Sequence, residues 1–448
     1  MKDKQVLSAV GIVLFLSGLL AAQVAGNTTV YSSSSTFAPV TNELHTAGYS
    51  SLAATLAACP SAPTPCHVII DPSATPYTVS APLIIGSTSQ AVDVDVHDAT
   101  LECTGTSGQD CIDINNFGSL RCDHYGSSES GCVITSGSGA DVTSLVANDI
   151  KTGTQTNFFF SGFRVYPSGT STVSHALLWI KAIEGKAVVR DLSIGGLGTS
   201  NGSSGLNISI EDADSGGGDM NALEMDNVWS LCDGLVGCVG LNLVGSGTGT
   251  GAGANYLFNG LTVVDSLEGS GCRSGNGCLI NIDGAAGSSS SHYISGITFN
   301  NLYLETTSTT STTGNFVDIN NVRSLSMNEV YLNGGQPQVN GFLITQTTSN
   351  LDGLIRLNGR SPIKMTTNVI NNQITSYASP NTSGVDFDYI YPGGQSTGVY
   401  VDGVGITNVP TVGAPTVGHA SCIKSSGPPV VIGYCSTMVL STGSCTCN

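Results

Sequence analysis

The residues best placed to do chemistry lie in one short stretch, Glu211-Asp212-Ala213-Asp214-Ser215-Gly216-Gly217-Gly218-Asp219. Asp residues separated by Ala, Ser and Gly allow a tight turn that converges carboxylate oxygens on a hard cation. Asp212, Asp214 and Asp219 therefore form a candidate Ca2+ site. Leu223 stands where an EF-hand would place its bidentate Glu, and a solvated acidic loop is the alternative. The same carboxylates could act as general acid and base in glycoside hydrolysis, a role that depends on their separation. A second group, Asp93, Asp95 and His97, shares one strand face by alternation, and Asp113 is expected one coil above it. Like charges stacked about 4.8 Å apart repel, so either a bound cation or solvent exposure must relieve them. His175 and His292 show no acid or nucleophile partner in the sequence and receive no role.

These residues sit in a repeat. From about residue 160 two short patterns alternate. One is a Gly followed by alternating apolar positions, as in Gly205-Leu206-Asn207-Ile208-Ser209-Ile210, Gly240-Leu241-Asn242-Leu243 and Gly341-Phe342-Leu343-Ile344. The other places a small or polar pair before an apolar-x-apolar run: Arg190-Asp191-Leu192-Ser193-Ile194, Asp226-Asn227-Val228-Trp229, Asn259-Gly260-Leu261-Thr262-Val263, Asn300-Asn301-Leu302-Tyr303-Leu304 and Asn328-Glu329-Val330-Tyr331-Leu332. Aligning Leu192, Val228, Leu261, Leu302, Val330 and Val369 gives steps of 36, 33, 41, 28 and 39 residues. That is a solenoid period, with the variation absorbed by loops. Strands this short cannot bury a face alone, whereas stacked coils share one core. A two-sheet sandwich would explain the strands but not the repeat. In this register Ser193, Trp229, Thr262, Tyr303, Tyr331 and Ile370 share an outward face. Trp229, Tyr303 and Tyr331 then offer a platform on which sugar rings stack, unless a loop covers them as secondary core.

The covalent frame agrees. Fourteen Cys suit an oxidising compartment, and ten fall in local pairs: Cys59/Cys66, Cys103/Cys111, Cys122/Cys132, Cys232/Cys238 and Cys272/Cys278. Cys422, Cys435, Cys445 and Cys447 crowd the C-terminus, and spacing does not assign their pairing. Asn pairs such as Asn115-Asn116, Asn300-Asn301, Asn320-Asn321 and Asn371-Asn372 suit tight turns. The basic head at Met1–Gln5, the apolar run Val6–Ala22 and the small residues after it read as a secretory signal peptide over residues 1–25. An uncleaved anchor is the alternative. The expected location is extracellular, with periplasm or cell surface also compatible. Four sequons begin at Asn27, Asn201, Asn207 and Asn381. The 448 residues carry 14 Lys+Arg against 32 Asp+Glu, a formal charge of −18, which excludes a basic nucleic-acid-binding face. The 40% hydrophobic content excludes a disordered acidic chain. Neither nucleic acid nor, after signal cleavage, a membrane is an expected partner.

The entry region is the most specific part. Ser50–Ala58 reads as a short Ser-capped helix, followed by Val68-Ile69-Ile70-Asp71-Pro72, Pro76-Tyr77-Thr78-Val79 and the strictly alternating Val92–Val96, ending in Ala99-Thr100-Leu101. This order resembles the entry module of right-handed parallel β-helix proteins of the pectate lyase, polygalacturonase and phage tailspike superfamily. The resemblance implies an all-β fold: a single right-handed parallel β-helix with an N-terminal capping helix and disulfide-bonded loops. The boundaries follow as residues 26–66 for the N-terminal segment and capping helix, 67–375 for the β-helix, and 376–448 for a Cys-containing C-terminal cap. Polygalacturonase-like members carry Asn-Thr-Asp, Asp-Asp, Gly-His-Gly and Arg-Ile-Lys motifs, and none is present here. The fold hosts enzymes and adhesins alike. The expected function is recognition, with or without cleavage, of an extracellular polysaccharide or cell-surface glycan on the lateral face. A lyase or glycoside hydrolase is the expected class if it is an enzyme. A non-catalytic surface or matrix protein is the alternative.

Overall fold

Strand formation follows directly from period-two alternation. In Cys66–Ile70 and Val92–Val96 every second side chain is buried, so Val68, Ile70, Val94 and Val96 point inward while His67, Asp93 and Asp95 stay partly or fully accessible. The computed structural model describes residues 43–345 outside positions 81, 88, 107, 123–130, 149–154, 170, 182, 196–204, 213–221, 233–236, 246–254, 266–271, 273–276, 285–293, 307–313, 321, 323–324 and 335–338. Beyond residue 345 it describes separate strand segments, and from residue 328 onward backbone pairing alone. The signal-peptide segment, His292 and Cys435 lie outside the described residues.

The chain is an all-β parallel solenoid. Among the described residues it alternates between a 17-stranded and a 13-stranded sheet, each strand hydrogen-bonding to its counterpart about one coil later. The first sheet runs through Ile183–Gly195, Ala222–Leu231, Tyr256–Val264, Ile297–Thr306 and Leu325–Gly334. The second runs through Thr172–Lys181, Leu206–Asp212, Val239–Gly245, Cys278–Asp283 and Gly314–Asn320. Parallel pairing continues past residue 375 through Gly384–Phe387, Val399–Asp402 and Ser421–Lys424. One core cluster extends from Leu52 to Met327. Within it Phe160, Val189, Met225, Phe258, Phe299 and Met327 stack in register. The Phe258 and Phe299 rings lie 4.5 Å apart and 11° from parallel.

Five successive coils of the first sheet bend at a left-handed residue: Gly162 (φ 86°), Asp191 (50°), Asn227 (52°), Gly260 (67°) and Asn301 (53°). These are the second members of the polar pairs seen in the sequence, or the Gly in the equivalent position. Asn, Asp and Gly are the residues that tolerate this conformation. Side chains of both members of these pairs tie successive coils together: Asn227 Nδ2 donates to Asp191 Oδ1 at 2.7 Å, Asn259 Nδ2 to Asp226 Oδ1 at 2.7 Å, and Asn300 Nδ2 to Asn259 Oδ1 at 2.8 Å. Not every Asn pair makes a turn. Asn320 lies inside Gly314–Asn320, buried, with Nδ2 donating to Asp283 Oδ1 at 2.6 Å. Asn371-Asn372 opens the strand Asn371–Ile374.

The five local cysteine pairs are all disulfides. Cys232 directly follows Ala222–Leu231 and Cys238 directly precedes Val239–Gly245, so that bridge closes the link between the sheets. The helix spans Leu52–Ala57, with Ser51 Oγ accepting from Ala54 N at 3.1 Å and Leu52 buried. No helix among the described residues is long and apolar enough to cross a membrane. Asn207 is 2% exposed, and its Nδ2 donates to Ser230 Oγ (2.9 Å) and Leu231 O (3.0 Å). Its sequon therefore presents no free amide in the folded chain.

Two alignments from the sequence are corrected. Tyr331 pairs with Lys364, so the position after Val330 is Ile363 rather than Val369, and Ile370 does not follow Tyr331 in the outward row. Asp113 belongs to the second sheet, between Ile84 and Ala147, and does not stack on Asp93 and Asp95. Both sheets contain identical apolar-x-apolar strings, so alternation alone does not say which sheet a strand joins.

Candidate functional site

The late coils of the second sheet are closed on both faces. Every residue of Cys278–Asp283 and Gly314–Asn320 is buried, and amides of its non-core face are bridged, Asn281 Nδ2 donating to Asn242 Oδ1 at 2.8 Å. The first sheet by contrast keeps an accessible lateral face, and the aromatic row runs along it. Backbone register aligns Arg164, Ser193, Trp229, Thr262, Tyr303 and Tyr331 on successive strands. Trp229 is 49% exposed, flanked along its strand by buried Val228 and Ser230. Tyr303 is half-buried, and its hydroxyl donates to Glu305 Oε2 at 2.7 Å, which fixes the ring. Tyr331 takes its place by backbone register, and its side chain lies outside the described residues.

On the same face an ionic network precedes the bend. Lys186 and Arg190 both donate to Glu224, and Arg190 Nε lies 3.1 Å from Asp226 Oδ2. Hydrogen bonds from Lys186 and Arg190 outweigh burial and hold the Glu224 carboxyl at about 2, below its ordinary 4.5. A depressed carboxylate pKa adds stability above the unfolded value, and that stability is lost as pH falls toward the folded value. The two cations are 52% and 43% exposed, so solvent screening leaves about 0.5–1 kcal/mol. Glu224→Gln is expected to remove that amount at pH 7 and to flatten the loss of stability between pH 4.5 and pH 2. Urea unfolding of both proteins across that range measures it.

Nearer the N-terminus, the repulsion expected of Asp93 and Asp95 is relieved by protein partners. Arg121 Nε (2.8 Å) and Nη2 (3.2 Å) donate to the Asp95 carboxylate, His67 Nε2 lies 2.7 Å from its Oδ2, and the Ser119 hydroxyl donates to Asp93. His45 lies 2.9 Å from Asp71 and 3.1 Å from Glu43, and hydrogen bonds to those two carboxylates raise its pKa.

Of the calcium candidates, Asp212 ends the strand Leu206–Asp212 opposite Gly245, and its side chain lies outside the described residues, as do Asp214 and Asp219 altogether. Among the described residues no group of three or more His, Cys, Asp or Glu side chains is placed to hold a metal. The structure adds a cluster that the sequence did not show. His175 Nε2 lies 3.0 Å from Glu211 Oε1, its ring 4.0 Å from that of Trp179. Lys181 Nζ sits 3.6 Å from the Trp179 centroid and 3.6 Å from Asp110 Oδ2. Backbone register does not signal the His175–Glu211 pair, because it sets Glu211 opposite Lys181 on the neighbouring strand.

These features define a disulfide-stapled parallel β solenoid with an accessible aromatic and ionic face on one sheet. No protein-family model, curated protein or solved structure matches the chain.

Proposed function

We propose that this is a secreted protein that recognises an extracellular polysaccharide on the lateral face of its first sheet, with or without slow depolymerisation. The observation that carries it is exposed Trp229 in register with Tyr303 and Tyr331. Trp229 and Tyr303 stand two inter-strand spacings apart, about 10 Å, with small Thr262 between them, and Tyr331 follows Tyr303 one spacing on. Apolar faces of sugar rings meet such rings with little loss of side-chain entropy. The parallel solenoid also supports kinship with the pectate lyase, polygalacturonase and tailspike superfamily, as a matter of fold. Ca2+ held by Asp212, Asp214 and Asp219 goes with this reading as a stabilising ion.

The test is incubation of the mature protein with neutral and acidic polysaccharides, with and without Ca2+, followed by affinity electrophoresis and mass spectrometry of released oligosaccharides. Replacing Trp229, Tyr303 and Tyr331 together by Ala is expected to weaken retention at least about 10-fold, at roughly 0.5–1.5 kcal/mol for each ring. Unchanged retention of the triple variant would sink the platform. A second reading, a non-catalytic surface or matrix protein, is favoured by the five short-range disulfides on one continuous core. Neither retention nor product on any polymer would select it.

A further inference from the structure

Arg164 stands out in a chain of charge −18. Among the described side chains, Arg121 pairs with Asp95, Lys181 with Asp110, Lys186 with Glu224, and Arg190 with Glu224 and Asp226. Arg164 has no carboxylate partner among the described residues. Its guanidinium instead lies over the Tyr166 ring, 5.1 Å from the centroid. Stacking of this kind holds the fork by its face and leaves its in-plane N–H donors open. Its position is equally specific. Arg164 pairs with Ser193, and Ser193 pairs with Trp229, so the cation begins the row that Trp229 and Tyr303 continue. Ser193 between them is small and leaves the path along the face low.

We infer that Arg164 is the anion-recognising residue of this surface and that the polymer it takes is acidic, carrying carboxylate or sulfate groups. The inference rests on the row being a glycan surface. The acid group would sit on the Arg164 fork about 10 Å, two strand spacings, from the ring stacked on Trp229. A net charge of −18 does not oppose this at close range. At physiological ionic strength, interactions beyond about 8 Å are largely screened, whereas a direct guanidinium–oxyanion contact is not. Each of the other described Lys and Arg side chains named above takes a carboxylate, whereas Arg164 takes an aromatic ring.

Dextran, carboxymethyl-dextran and dextran sulfate share one backbone and separate the neutral, carboxylate and sulfate arms. The full mature protein is compared with Arg164→Gln, Arg164→Lys and Trp229→Ala in affinity gels, after each variant has been melted. Wild type is expected to bind at least one acidic derivative about 10-fold or more tightly than dextran. R164Q is expected to lose that margin, about 10-fold, and to bind dextran unchanged; R164K, which keeps the charge without the fork, is expected to fall between. Should R164Q melt early, R164K together with competition by free sulfate reads the same contact.

Acidic binding by R164Q equal to wild type would overturn the proposal. If W229A then still weakened all three polymers, the aromatic surface would stand without the anion site. An effect of R164Q with none of W229A would keep the anion site and remove the platform. Wild type held by none of the three polymers would overturn both.

Discussion

Gly195→Ala is expected to destabilise the protein by about 4 kcal/mol, more than any surface substitution. Gly195 ends the strand Ile183–Gly195 at φ 137°, a region essentially closed to residues with a Cβ. A Cβ there would lie 1.8 Å from the carbonyl oxygen of Leu231, its register partner, and 3.0 Å from Asn207 Nδ2. Neither contact is a flexible tip that can swing away. The Leu231 carbonyl already accepts from Asn207 Nδ2 at 3.0 Å, and the next residue, Cys232, is tied to Cys238. Moving that carbonyl therefore disturbs a buried amide and a bridged link together. Backbone strain of about 1–3 kcal/mol and overpacking of about 1–3 kcal/mol act at the same atom. Gly169→Ala is the control, because its Cβ would meet nothing within 4 Å and should change stability by less than about 0.5 kcal/mol. Urea unfolding followed by tryptophan fluorescence compares the two, and equal midpoints would contradict the argument.

Phe258→Ala should cost about 3–5 kcal/mol by a different route. Its side chain is fully buried in the inward column, between Met225 and Phe299. Truncation removes the transfer energy of the ring and leaves a cavity that the coils above and below, hydrogen-bonded on both edges, cannot collapse into. The ring also stacks on Phe299 at 4.5 Å, so a Phe258→Ala/Phe299→Ala cycle should return a coupling of about 0.5–1.5 kcal/mol. Additive effects of the two truncations would mean that the stack adds nothing beyond area.

Those residues show what the sequence made legible. The steps from Leu192 through Val228, Leu261 and Leu302 to Val330 follow the observed register, and so does the row Ser193, Trp229, Thr262, Tyr303 and Tyr331. They are readable because a pair of polar or small residues precedes each of these apolar positions, and from Leu192 to Leu302 the second member is left-handed. Where that marker disappears, so does the register. No such pair precedes Ile363, and the alignment drifted to Val369 and Ile370. The five disulfides were readable because each closes a short loop. Alternation does not place Asp113, because period two is the same in both sheets, and the His175–Glu211 contact does not follow from register, which sets Glu211 opposite Lys181. That Arg164 has no carboxylate partner among the described residues is invisible in sequence, because pairing depends on how the coils set side chains beside one another.

The bends of the first sheet also serve as a reading frame. A slip of one residue along any strand would move Leu192, Val228, Leu261 or Leu302 into the left-handed position now held by Asp191, Asn227, Gly260 or Asn301. Each misplacement costs about 1–2 kcal/mol and disrupts the amide ladder beside it, and the penalties add from coil to coil. The frame is thus stated anew in each of these coils, inside the strand and not in the turns between strands. Segments between coils can lengthen or shorten without being misread, as the steps from 28 to 41 residues demonstrate. A scaffold that punctuates itself in this way can exchange the loops around its lateral face while the row beneath them keeps its spacing.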